Sequence, residues 1–314
     1  MGAGGARAHA GDHLTHWKAK AALQTVFSSV PGGEALNYLC QRRIFRNLPV
    51  SDDIFRATAD NARRHLANLT EHGSVPVDQA TFYEFGAGKD LIIPLTYYCL
   101  GVEEQVIVDI RDLAREELIV DAHRRLSSGV VPDVVRSPES ALRLRGRQQR
   151  LSALGVTYRA PCDARATGLD DSSVDYITST STLEHIPEAD IRLILSESRR
   201  ILRPDGRMSM LIDYQDHYSY ADSSISAYNF LRYDEREWAR WNPSLQYQNR
   251  LRHSEYLAMF EAEGLEVVDE ETVAGTPADL ETIAELPPAA PFRDRDPRDL
   301  AVRLAFVTLQ PAVP

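Results

Sequence analysis

The sequence predicts an α/β fold: a doubly wound, mostly parallel seven-stranded sheet behind an N-terminal helical module. Residues 1–75 place apolar side chains at spacings of three and four and contain no strand-like run, which is the period of helices. From residue 76, short β-branched and aromatic runs alternate with helical ones, a pattern that implies right-handed crossovers and parallel pairing. Finally, Glu84-Phe85-Gly86-Ala87-Gly88 closes the first such strand and opens a helix.

Taken in order, the elements are these. After a Gly/Ala-rich start (residues 1–11), Leu14, Trp17, Ala21, Leu23 and Phe27 mark a first helix that Pro31-Gly32-Gly33 ends. A second helix spans Glu34 to Arg46, and Ser51-Asp52-Asp53 caps a third that runs to about Glu71. Strands follow at 81–85, 105–109, 156–159, 174–179, 207–212, 265–270 and 302–309. Helices are expected at 90–100, 113–126, 189–202 and 253–263. Residues 127–152 read as an Arg-rich insertion with a short helix, and 214–250 as an aromatic, polar stretch with no clean period. A Pro-rich loop precedes the last strand.

Composition limits the function. With 35 basic and 46 acidic residues the chain carries −11, which disfavours a nucleic-acid backbone or an anionic membrane as partner. No run approaches the ~20 apolar residues of a membrane span. Cys40, Cys99 and Cys162 form no CxxC pair, so neither a disulfide scaffold nor a structural zinc site is expected. The default location is the cytoplasm.

The glycines after the first strand permit backbone angles that side chains forbid, and let a ligand approach the main chain. A tight turn alone would use them equally well. Asp109 ends the second strand, where a carboxylate accepts two hydrogen bonds from a ribose diol or caps the next helix. A dinucleotide site shows both features, but Leu91 stands where its third glycine belongs. Further on come Pro161-Cys162-Asp163-Ala164-Arg165, then Ser179-Thr180-Ser181-Thr182-Leu183-Glu184-His185-Ile186-Pro187, then Arg199-Arg200-Ile201-Leu202-Arg203-Pro204-Asp205-Gly206.

This ordered set resembles the class I S-adenosylmethionine-dependent methyltransferases, in particular their small-molecule type 11 branch, over about residues 80–213. The resemblance implies a Rossmann-like sheet and S-adenosylmethionine as cofactor. It places Glu84, Phe85, Gly86, Ala87 and Gly88 around the methionine and ribose part. It gives Asp109 and Ile110 to the ribose side, Asp163 and Ala164 to the adenine, and Ser179 and Thr180 to the strand end beneath the sulfonium. Asp90 stands where the family often has a third glycine and is read as a helix cap.

On the acceptor side, His185 follows the fourth strand and is the first candidate base, against a packing role in its loop. Asp213-Tyr214-Gln215-Asp216-His217-Tyr218 follows the fifth strand. There His217 is a second base or an oxygen-holding group. A metal on Asp213, Asp216 and His217 is weighed against a solvated loop, and no metal is expected. Tyr214, Asp216, Tyr228, Arg232, Asn249 and Arg250 are expected to hold the substrate, with 214–252 as a lid insertion, although aromatic packing explains the same residues. Residues 1–75 then form a lid or homodimer module on a 76–314 catalytic domain. The expected function is methylation of an oxygen or nitrogen of a small metabolite, of natural-product type by the family's habit. A cofactor-binding scaffold without turnover, an RNA methyltransferase and a nicotinamide-dependent dehydrogenase are the alternatives.

Overall fold

The computed structural model describes residues 16–44 and 47–312. The Gly/Ala-rich start, Leu14 and the helix end expected at Arg46 lie outside them. Helix α1 is His16–Ser29, and α2, Gly33–Leu39, continues as a π-helical turn Cys40–Ile44. In α3, Asp52–His72, the Ser51 hydroxyl accepts from the Ile54 N–H as the expected cap.

Strands β1 (Thr81–Phe85), β2 (Glu104–Val108), β3 (Val156–Arg159), β4 (Val174–Thr180), β5 (Leu202–Asp213), β6 (Leu265–Val273) and β7 (Leu304–Pro311) form one sheet, ordered β3-β2-β1-β4-β5-β7-β6. All pairs are parallel except those of β7, which runs antiparallel between β5 and β6. The strand order reverses between β1 and β4, and in open α/β sheets a ligand crevice opens at that point, at the carboxyl ends of the strands.

Helices α4 (Ile92–Cys99) and α5 (Glu116–Ser127) cover one face of the sheet together with α3. Two short helices, α6 (Glu139–Leu142) and α7 (Arg147–Ser152), fill the insertion where one was expected. On the other face lie α8 (Glu188–Ile201) and α10 (His253–Ala262). Between them in sequence, α9 (Glu235–Trp238) is a single turn. The chain past β6 holds α11 (Pro277–Glu285), unexpected from the sequence, and α12 (Pro297–Leu300). The Thr276–Asp279 capping box and Pro277 at the first helical position explain α11.

A further core sits off the sheet. Trp17 and Ala21 of α1 share it with Tyr218, Tyr228, Phe230 and Trp238 of the post-β5 stretch and with Ile283, Phe292 and Leu300, and the Trp17 ring meets Tyr218, Tyr233 and Trp241 directly. The aromatic stretch 214–250 is therefore largely the packing partner of α1. No helix among the described residues is long and apolar enough to cross a membrane.

Candidate active site

The crevice opens where the topology requires it. Its wall includes Phe85, Gly86 and Gly88 after β1, Asp109 and Ile110 after β2, Cys162, Asp163 and Ala164 after β3, and Ser181, Thr182 and His185 after β4. Glu34 and Asn37 of α2 and residues 244–247 close it from outside, around a cavity of about 470 Å³.

Both turn glycines have positive φ, 80° at Gly86 and 74° at Gly88. A Cβ on Gly86 would collide with the Thr182 side chain, 2.3 Å away. One on Gly88 would meet nothing within 4 Å. The first glycine thus lets two strand ends approach; the second leaves bare backbone beside the crevice. The Asp90 carboxylate accepts from the Ile92 N–H at 3.3 Å, one residue ahead of the helix's cap position, which is Leu91.

Asp109 is 6% exposed, and one carboxylate oxygen accepts from the Arg111 N–H at 3.1 Å. Burial pushes its carboxyl up, against that backbone donor. Asp163 is half-exposed, and the Arg165 guanidinium bonded to it holds its carboxyl below the usual range. Ile110 beside it is 60% exposed, an apolar surface left open at the crevice. Open glycine backbone, a buried acid, a second acid and an exposed apolar side chain in one crevice match the parts of an adenosine with a charged tail. These residues fit S-adenosylmethionine.

Other expected cofactor residues lie elsewhere. Ala87 packs into the core between α3, α4 and α5 rather than on the wall. Glu84 is buried within β1 at 4% exposure, with one carboxylate oxygen unpartnered, and burial pushes its carboxyl up to about 8. Strand β4 runs on to Thr180, so Ser179 and Thr180 stay inside the sheet. Ser179 donates to the Phe85 carbonyl at 3.4 Å, and the Thr180 hydroxyl meets His65 Nε2 at 3.2 Å. Ser181 and Thr182 take the wall position expected of them.

At the acceptor end, the 3₁₀ turn Leu183–His185 presents His185 to the crevice. Its Nδ1 lies 2.7 Å from the Tyr247 carbonyl, which assigns the proton to Nδ1 and leaves Nε2 bare. Burial, aided by His217, lowers the His185 pKa to about 4, so the ring is neutral at pH 7. The two imidazoles lie 4.8 Å apart, centre to centre. His217 Nε2 lies 3.2 Å from Asp213. Burial pushes the Asp213 carboxyl up, but His217, Tyr220 and a backbone donor outweigh it and hold the group below its usual value. Glu184 is 2% exposed, and neither of its carboxylate oxygens has a hydrogen-bond partner. The adjacency of an acid and a histidine right after a strand was the signal for Glu184, which the sequence reading passed over.

Most of the expected substrate contacts are structural. Tyr214 is buried and its hydroxyl meets His253 Nδ1 at 2.9 Å. Asp216 is fully buried, holds Asn229 and the Tyr218 N–H, and has its carboxyl pushed up to about 6 by burial. It does not join His217 in a metal-ligand cluster; Glu184 and His185 do. Tyr228 donates to the Ala301 carbonyl, and Arg250 to the Phe230 and Tyr233 carbonyls. Arg232 is exposed away from the wall. Asn249 is closest to the chemistry: its amide donates to the Leu183 and Ile186 carbonyls, both at 2.8 Å. It thereby fixes the turn that carries Glu184 and His185.

His65 of α3 was also missed. It is buried, with Nδ1 2.8 Å from the Ser209 hydroxyl. Its place on the apolar stripe Phe55, Ala59, Ala62 and Leu69 was the available signal.

The sheet order, with one antiparallel strand inserted next to the last, and the crevice at its switch point define the class I methyltransferase fold. This also sets the chain apart from nicotinamide dehydrogenases, whose sheets run 3-2-1-4-5-6. Residues 125–210 match the family described as "Methyltransferase domain". The match runs from within α5 to within β5, so the glycine turn and Asp109 lie outside it. No curated protein matches the chain in sequence. Among solved structures, the chain is similar to YcgJ from Bacillus subtilis, at 17% identity over 80% of this chain and 99% of that one, TM-score 0.42. It is similar to the 1,6-didemethyltoxoflavin-N1-methyltransferase of Burkholderia thailandensis, solved with 1,6-didemethyltoxoflavin and S-adenosylhomocysteine, at 14% over 91% and 92%, TM-score 0.46. A geranyl diphosphate methyltransferase in complex with SAM is similar at 14% over 81% and 85%, TM-score 0.46.

Proposed function

We propose that this chain is an S-adenosylmethionine-dependent methyltransferase acting on an oxygen or nitrogen of a small organic metabolite. One observation carries the reading: open Gly88, buried Asp109 and Asp163 converge on one crevice at the switch point of this sheet. When bound there, the cofactor supplies a methyl group on a positively charged sulfur. Gly86 and Gly88 offer backbone to its methionine and ribose part. Asp109 would accept from the ribose diol and Asp163 from the adenine amino group, and Ile110 would offer the bound nucleoside an apolar side chain.

The remaining task of the protein is to hold the acceptor in line, and orientation contributes roughly 7–11 kcal/mol to such reactions. Ser181, Thr182, His185 and Tyr247 border the space for the acceptor, with α2 and residues 244–247 as its cover. His185 stands on the wall where the acceptor's proton has to leave, with His217 next to it, 4.8 Å away centre to centre. A cavity of about 470 Å³ suits a small molecule, and the charge of −11 opposes an RNA substrate.

Calorimetry with S-adenosylhomocysteine tests the reading. Binding to the wild-type chain is expected, with Asp109→Ala weaker by on the order of 1–3 kcal/mol, the range for a lost buried charged acceptor. Equal affinity in the two proteins, or no binding at all, overturns it.

A further inference from the structure

The acceptor end holds a donor set that proton transfer alone does not explain. One carboxylate oxygen of Glu184 and one ring nitrogen each of His185 and His217 lie within 4.8 Å of one another. Glu184 is buried with both oxygens unpartnered, and an uncompensated buried carboxylate is expensive unless it keeps its proton or a cation meets it. His185 spends Nδ1 on the Tyr247 carbonyl and keeps Nε2 bare. Metal-binding histidines make that same outer bond, which fixes their tautomer. His217 Nε2 is buried and also lacks a hydrogen-bond partner; Asp213 lies 3.2 Å away without the alignment of one. The Asp213 carboxylate is occupied by the Gln215 N–H and the Tyr220 hydroxyl, so it backs the cluster without filling it.

We infer that Glu184, His185 and His217 form a binding site for a first-row divalent metal ion beside the crevice. Two imidazoles and one carboxylate suit Zn²⁺, Mn²⁺, Fe²⁺ or Co²⁺, whereas Mg²⁺ and Ca²⁺ favour all-oxygen cages. Ligand atoms about 2.1 Å from such an ion stand about 3–4 Å apart, so small side-chain rotations close the set. The ion's remaining positions take oxygen donors. This part rests on the methyltransferase reading: the acceptor presents two adjacent oxygens that chelate the ion, and its hydroxyl is acidified by the ion rather than by a free histidine base.

The full-length chain, stripped with chelator, is titrated with Zn²⁺ by calorimetry and with Co²⁺ by visible absorption. One equivalent is expected to bind, at least ~10-fold more weakly in Glu184→Gln and in His217→Asn. Homocysteine-cofactor affinity, measured on the same samples, is expected to stay unchanged in Glu184→Gln and reports that the variant is folded. Equal metal affinity in wild type and Glu184→Gln, or no stoichiometric uptake, overturns the site. Glu184-dependent metal binding in a chain that ignores S-adenosylhomocysteine sustains the site and overturns the methyltransferase reading. Cofactor binding without metal binding does the reverse.

Discussion

The two ends of the crevice are built on different terms. At the donor end, the wall is backbone and half-satisfied charge: glycines with positive φ, Asp109 with a backbone donor, and Asp163 with Arg165. At the acceptor end, the groups are side chains: His185 on the wall, and next to it Glu184 and His217 with buried atoms left unpaired. The donor end therefore depends on chain path and tolerates solvent. The acceptor end depends on which side chains meet, and it stores unsatisfied polarity for a ligand to relieve.

The sharpest test of this division is His185→Ala. It should slow methyl transfer by ~10²–10⁴-fold, read as S-adenosylhomocysteine formed with a metabolite extract as acceptor source. The cofactor affinity should not change. A near-normal rate would make the acceptor end mere packing, and the contrast between the two ends would fall.

A smaller effect is expected from the scaffold of the acceptor end. Arg252 is fully buried and donates to the Tyr214, Leu300 and Val302 carbonyls at 2.8, 3.1 and 3.0 Å. It ties the loop after β5 to the chain before β7. Arg252→Ala leaves those carbonyls unpaired around a cavity, a loss of about 2–4 kcal/mol. Thermal melting should show it as a drop of several degrees. A melting point within a degree of wild type would show that the loop is held by other means.

The smallest expected effect tests Glu84, the exception at the donor end. Its carboxyl is pushed up to about 8 by burial, from an ordinary 4.5. The folded chain thus keeps a proton that the unfolded chain releases between those values. The stability this contributes is fully present below about pH 4.5 and is lost as the pH rises through about 8. Glu84→Gln removes that dependence, so the wild-type melting temperature should fall relative to the variant by a few degrees from pH 5 to pH 8. Parallel melting curves would place Glu84 in contact with water or a cation.

Legibility in the sequence followed the same division. The donor end could be read because it is local: Gly86, Gly88 and Asp109 sit at strand ends that hydrophobic runs locate to within a residue. Strands β1 to β4 were recovered for the same reason, since buried parallel strands are continuous apolar runs, whereas β5 begins at Leu202, ahead of the run expected at 207–212. Ser179 and Thr180 were placed on the wall because β4 runs one residue further than its pattern suggested. The acceptor end is non-local. Tyr247 orients His185, and Asn249 braces its turn, from some 60 residues away. Aromatic richness in 214–250 announced burial as much as binding. Tyr214, Tyr228 and Arg250 were given to a substrate because nothing in their spacing names His253, the Ala301 carbonyl and the Phe230 carbonyl as their partners.

That off-sheet core has a consequence for how the chain matures. Trp17 finds its ring neighbours Tyr218, Tyr233 and Trp241 only after about 200 further residues have been made. A growing polypeptide can assemble the β1–β4 half while still attached to the ribosome, but α1 must wait, apolar side outward, until the stretch after β5 has followed. A helix made before the sheet is thus shielded from chaperones and proteases only after most of that sheet has formed.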